Sequence, residues 1–158
     1  MTPVSDGLRY TEPVMSHARH RLRRQVHFHE TDGAGIVHFS WYFRYAEEAE
    51  QALWRSLRLR LAPDEHGIMF PRVAAAFDFH SPLRFEDEFE IEIGVAALTE
   101  KTIRYAVLLS LADRPVATGQ MTVACATQPP GEAMRAVPIP PHIREALAQS
   151  TLTGNAAP

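Results

Sequence analysis

Hydrophobic and polar residues between Arg21 and Gln149 follow two periods. Leu22, Val26 and Phe28 fall on one parity, with Arg23, Gln25 and His27 on the other, so the spacing predicts a strand over 22–28. A loop with two glycines follows, His29-Glu30-Thr31-Asp32-Gly33-Ala34-Gly35. The period then becomes helical: Tyr45, Ala49, Leu53 and Leu57 recur every four residues, flanked by Ala46 and Ala52, which predicts a helix over 40–59. Ser40 suits its N-cap and Pro63 stops its continuation. Arg44, Glu47, Glu48 and Glu50 are expected on its flanks or in solvent. A strand over 68–79, bent at Pro71, comes next. Phe89, Ile91, Ile93 and Val95 then alternate with Glu88, Glu90 and Glu92, the pattern of a half-buried strand. Further strands are expected over 101–111 and 116–127, joined by Asp113-Arg114-Pro115, and a short helix over 141–148 with Pro141 in its first turn.

Strands joined by short turns pair antiparallel, and the apolar stripe of the long helix must lie on the sheet they make. The pattern therefore predicts an α+β fold, a curved antiparallel sheet wrapped around one long central helix. Such a sheet leaves an edge open, which dimerisation would cover. Residues 1–20 are polar and aperiodic, as are 150–158, so a mobile leader and a mobile tail are expected around one domain over 21–149.

Composition narrows the class. With 16 Lys and Arg against 19 Asp and Glu, the chain lacks the basic excess of a nucleic-acid binder. Cys125 stands alone, which excludes an intramolecular disulfide and any multi-cysteine zinc module, and its apolar neighbours place it in the core. No apolar run approaches the ~20 residues of a membrane span, and the first residues do not read as a signal peptide. A cytoplasmic protein with no membrane span is expected.

No nucleophile elbow or P-loop is present, and Gly33-x-Gly35 is not followed by the βαβ unit of a dinucleotide site. His27 and His29 would share a strand face, a spacing open to metal ligation with Glu30 or His38, but it fits no metal motif, and surface histidines explain it as well. Asp32 lies between a strand and the start of the central helix. One reading is a turn aspartate bonded to its own backbone. The other is chemical: an ionised carboxylate beside unpaired helix-start N–H groups that can polarise a carbonyl, the minimum needed to hydrolyse an acyl group.

The run Val26-His27-Phe28-His29-Glu30-Thr31-Asp32-Gly33-Ala34-Gly35-Ile36-Val37-His38-Phe39-Ser40-Trp41-Tyr42, continued by Phe43-Arg44-Tyr45-Ala46-Glu47, resembles the hot-dog-fold acyl-CoA thioesterases, in particular the 4-hydroxybenzoyl-CoA and Tol-Pal-associated group. The likeness extends through Phe77-Asp78-Phe79-His80-Ser81-Pro82-Leu83-Arg84-Phe85-Glu86-Asp87. It implies the same sheet-around-helix fold and an acyl-CoA substrate hydrolysed to free acid and CoA. It implies Asp32 as catalytic carboxylate, the Phe39 amide as the group that polarises the carbonyl, and Gly35, His38, Tyr42 and Lys101 as substrate-binding, Lys101 toward the CoA phosphates. No metal and no cofactor apart from the CoA of the substrate is implied. A homo-oligomer is, as a dimer or dimer of dimers, with residues 71–76 of one subunit reaching the acyl pocket of the other. Trp41 stands where family members often carry Asn. A non-catalytic acyl-thioester binding protein and an enoyl-thioester hydratase are the alternatives. The acyl group, aromatic or aliphatic, is open.

Overall fold

A computed structural model describes residues 11–150 and 152–154. Its strands are β1 (Arg19–Gln25), β2 (Arg72–Phe79), β3 (Glu88–Leu98), β4 (Thr102–Leu111), β5 (Arg114–Ala124), β6 (Ala126–Thr127), β7 (Arg135–Ala136) and β8 (Leu152–Gly154). The helices are α1 (Ser40–Ser56) and α2 (Pro141–Ala148). Six strands form one sheet in the order β2-β5-β4-β3-β1-β8. Every pairing in it is antiparallel except β1 with β8, which is parallel. Register shifts between Arg72 and Ala74, Val95 and Ala97, and Leu109 and Ser110 increase the twist of the sheet.

The alternation in β3 does what the pattern predicts. Phe89, Ile91, Ile93 and Val95 are buried, while Glu90 and Glu92 pair across the outer face with Arg21 at 3.2 and 2.6 Å. Buried Tyr45, Ala46, Ala49 and Leu53 seat α1 against that inner face, the alanines permitting close approach. Trp54 donates its indole N–H to the Tyr105 hydroxyl at 2.8 Å, so a fully buried phenol has a partner. Cys125 is buried, as expected, with its thiol 3.6 Å from the Pro138 carbonyl.

Several boundaries differ from the pattern-based ones. β1 ends at Gln25, and Phe28 is exposed in a 3-10 turn over Phe28–Glu30, so it does not share the inner face of Leu22 and Val26. The long helix stops at Ser56, seven residues before Pro63. Arg58 takes the left-handed conformation (φ 59°), while the Arg58 amide donates to Arg55 O and the Leu59 amide to Trp54 O. That is a Schellman close made without glycine. The first ten residues of the expected leader lie outside the described residues. Its last ones are bound into the fold: Ser16 and His17 donate to Val95 O, Ala18 is buried, and Arg19 and His20 begin β1. The expected tail contains β8, whose Thr153 accepts or donates at His20, Ser56 and the Arg19 carbonyl. Backbone pairing to a distant strand leaves no hydrophobic period, so neither segment could be read from the pattern.

Glu50 is the clearest reversal. Expected at a flank of α1 or in solvent, it is 1% exposed and bonded to Arg72 of β2 at 2.6 Å. Burial holds its carboxyl above the usual range, and the Arg72 charge only partly offsets this.

Candidate active site

The loop after β1 is organised by Glu30. Its side chain is wholly buried: Oε1 accepts from Arg24 at 2.6 Å, and Oε2 accepts from Arg24 at 2.9 Å, the His27 amide at 2.9 Å and the Tyr45 hydroxyl at 2.7 Å. Arg24 also bonds Glu48 of α1 at 2.7 Å and lies 4.5 Å over the Tyr45 ring. Burial alone would raise the Glu30 carboxyl; the Arg24, His27 and Tyr45 donors outweigh it and hold it below the ordinary value. The Tyr45 phenol is pushed up, by burial first and then by the Glu30 charge. Strand, turn and helix are thus tied at one buried carboxylate.

From there the chain makes a narrow hairpin. Thr31 bridges Val37, the Asp32 amide donates to Ile36 O at 2.9 Å, and the His38 amide returns to Glu30 O at 2.9 Å. The Val37 amide donates to Leu83 O at 2.8 Å, fixing the hairpin to the segment after β2. Asp32 is half-buried, and its Oδ1 accepts from the Ala34 amide at 2.8 Å and the Ile36 amide at 3.5 Å. The turn-aspartate reading is therefore correct for one oxygen, while Oδ2 accepts no hydrogen bond among the described residues. Gly35 closes the tip at φ 75°, where a side chain would have room but the backbone conformation disfavours one.

The hairpin delivers the chain to the start of α1. Phe39, not Ser40, occupies the N-cap position. Ser40 is the first helical residue, and its hydroxyl pairs with Nδ1 of His38 at 2.8 Å. The Trp41 amide donates to His38 O and the Tyr42 amide to Phe39 O. The Phe39 amide donates to no group among the described residues. Phe39 itself is exposed, with its ring 4.5 Å from that of His38. Tyr42 is buried, its ring against Tyr45 (5.9 Å), Phe77 (6.2 Å) and Phe79 (4.9 Å). Trp41 lies between His29, edge-on at 5.3 Å, and the Arg44 guanidinium at 5.4 Å.

One expected contributor stands apart. Lys101 sits in the β3–β4 turn, at the opposite end of the sheet from the β1 exit, because Gln25 pairs with Glu88 at the start of β3 and Leu98 with Ile103 at its far end. That strand is about 35 Å long at ~3.3 Å per residue, so Lys101 and Asp32 do not meet within one subunit. His27, His29 and Glu30 do bring ligand atoms within 4.8 Å of one another. The Glu30 carboxylate, however, is already committed to the Arg24 cation and two further donors. The grouping is accounted for by that ion pair. His80, exposed, pairs its Nε2 with Thr118 at 2.9 Å.

What the sequence did not indicate is the role of Glu30 as the hub of the loop. In the sequence it stands out only as an option for metal ligation and as one position of the run that resembles the family. Its distance of six residues from Arg24 across a strand end is not a recognisable pairing pattern.

A thioesterase-like superfamily model matches residues 26–147. A 1,4-dihydroxy-2-naphthoyl-CoA hydrolase of Synechococcus elongatus is 32% identical over 111 residues, covering 68% of this chain and 82% of that protein. Among solved structures, a hypothetical protein from Aquifex aeolicus superposes with a TM-score of 0.74 at 30% identity, covering 80% of this chain and 98% of the other. A gentisyl-coenzyme A thioesterase superposes with a TM-score of 0.71 at 26% identity, covering 78% and 98%. The sheet-around-helix fold expected from the pattern and from the hot-dog resemblance is the fold these structures share.

Proposed function

We propose, for a chain that belongs to the thioesterase-like superfamily and hydrolyses CoA thioesters, that Asp32 and the Phe39 amide form its reaction centre. One observation supports this most directly: a hairpin presents Asp32 with Oδ2 unpaired next to a helix start whose Phe39 amide donates to no described protein group. The thioester carbonyl oxygen accepts from that amide, where the positive end of the α1 dipole stabilises the developing oxyanion. The Asp32 carboxylate acts on the carbonyl carbon, either as nucleophile or through a water that it deprotonates. The carbon–sulfur bond breaks and the sulfur leaves and takes up a proton as the CoA thiol; on the water route the added hydroxyl makes the acyl group its acid, and on the nucleophile route a second step, in which water hydrolyses the acyl–Asp32 anhydride, frees the acid and restores the carboxylate. None of these steps calls for a metal or a second cofactor. A CoA ester as substrate and an unpaired thiol in the core both suit a reducing interior, the cytoplasmic setting expected above.

The acyl group favoured by the geometry is aromatic. Tyr42, Phe77 and Phe79 form one aromatic cluster between the first turns of α1 and the end of β2, and the similar hydrolases named above act on naphthoyl and gentisyl esters. Thiol release from benzoyl-, naphthoyl-, butyryl- and palmitoyl-CoA is the test. An aromatic ester should exceed both aliphatic ones in kcat/KM by at least about tenfold, roughly 1.4 kcal/mol of transition-state binding. A preference for butyryl- or palmitoyl-CoA would overturn the aromatic assignment.

The working unit is a dimer formed along β2. This edge strand exposes Val73, Ala74, Ala75, Ala76 and Phe79, a long apolar edge of the kind that otherwise invites aggregation. Two-fold pairing of antiparallel β2 strands sets the far end of one sheet beside the Asp32 end of the other. It thereby carries Lys101 of the partner subunit toward the CoA phosphates, which explains why the two residues lie apart in one chain. Ala75→Glu puts like charges together near the two-fold axis. It should halve the mass measured by sedimentation and take hydrolysis down with it. A wild-type protein that is active as a monomer would rule the dimer out.

A further inference from the structure

The opposing register of β2 and β5 places Phe77 directly across from Gly119. Gly119 is buried and has no side chain to hold its neighbour upright, and the Phe77 ring lies down over it. A Cβ built at Gly119 would stand 2.4 Å from Cε1 of Phe77, 2.5 Å from Cζ and 2.7 Å from Cδ1, where no real Cβ fits. The φ of Gly119 is not in the left-handed range, so its backbone does not demand glycine; only the ring above it does. The lowered ring is held edge-on by Phe43 at 5.1 Å and runs nearly parallel to Phe79, 6.3 Å away and half-exposed. Phe79 in turn stands edge-on to Tyr42, whose amide bonds Phe39 O at the start of α1. Ala75, two residues before Phe77 and paired with the buried Met121, is nevertheless exposed within one subunit, so that subunit's own α1 does not fill the space over this part of β2, which belongs to the edge the proposed dimer uses.

We infer that Gly119 and Phe77 together set the size of acyl group this enzyme accepts, with the recumbent Phe77 ring as the floor of the acyl slot. The inference rests on the placing of the reacting carbonyl between Asp32 and Phe39. A flat acyl group held at that carbonyl runs along the first turns of α1 and comes to rest on Phe77, with Phe79 as a wall. Adding one methyl at position 119 would force the ring up into the slot and shorten it. Removing the ring would deepen it.

A double-mutant cycle reads this directly. Gly119→Ala should lower the ratio of kcat/KM for naphthoyl-CoA to that for acetyl-CoA at least tenfold. Phe77→Ala should raise the same ratio, favouring the bulkier acyl group. In the doubly substituted protein the Gly119→Ala effect should vanish, since its methyl then has no ring to displace. Thermal melts of all three variants show whether each is folded; should Gly119→Ala fail to fold, the Phe77→Ala ratio alone decides. A ratio that Phe77→Ala leaves unmoved, or a Gly119→Ala loss of equal size in both backgrounds, overturns the inference while leaving the hydrolase reading intact. A wild-type protein inert toward every ester removes the hydrolase reading and this inference with it. Asp32→Asn that hydrolyses at wild-type rate moves the reaction centre elsewhere and removes the floor assignment too.

Discussion

Asp32→Asn is expected to lower kcat for CoA-thioester hydrolysis by about a thousandfold or more, in the range typical when a nucleophile or general base is removed. A carboxamide is neither. The same substitution should leave the structure nearly untouched. The side-chain oxygen of Asn can still accept from the Ala34 and Ile36 amides, the two bonds that Oδ1 of Asp32 makes. KM for the ester and the melting temperature should therefore stay close to wild type while turnover collapses. Thiol release measured alongside a thermal melt separates the two roles that this residue combines. Equal rates for the two proteins would remove Asp32 from the mechanism, and a large fall in melting temperature would recast it as a structural residue.

The largest stability effect is expected at Glu30. Glu30→Ala removes the acceptor of the buried Tyr45 hydroxyl and of the His27 amide and leaves the largely buried Arg24 guanidinium with Glu48 as its remaining carboxylate, and breaking a buried pair on one side costs about 3–5 kcal/mol. Glu30→Gln keeps the volume and one acceptor and should cost less. The pH dependence follows from the lowered carboxyl. Its folded value lies below the unfolded 4.5, so its contribution is complete above that value and is lost as pH falls through the folded one. Urea denaturation should thus show a wide gap between wild type and Glu30→Ala at neutral pH that narrows progressively in acid. A gap that does not change with pH would mean that the charge of Glu30 is not what holds the loop. Activity should fall as well, because the Glu30 carbonyl receives the His38 amide that sets the base of the Asp32 hairpin.

The long helix, the alternation of β3 and the strand–loop–helix order around Asp32 were legible because they follow from local period and spacing. Tyr45, Ala49 and Leu53 announce a buried face without reference to any partner. The failures share the opposite property. Glu50 reads as a solvent charge until Arg72, 22 residues on, is brought against it. Arg58 closes the helix in a conformation that sequence rules reserve for glycine. β8 forms by backbone pairing with residues 133 positions earlier, which side-chain periodicity does not record. In the site itself, Asp32 and the helix start could be recognised together. Tyr42 could not be seen to be a buried wall, nor Lys101 to sit at the far end of the sheet, since both depend on how strands fold back on one another.

The unequal margins of the sheet bear on how copies of this protein can associate. β8 runs alongside the beginning of β1 and is only three residues long, whereas β2 at the other margin is eight residues long and apolar. A sheet inviting at both margins could recruit molecule after molecule into a fibre. In the dimer proposed above, the longer margin is satisfied once two molecules meet across it. A pair closed in this way uses up the sticky strand and keeps it from becoming a seed.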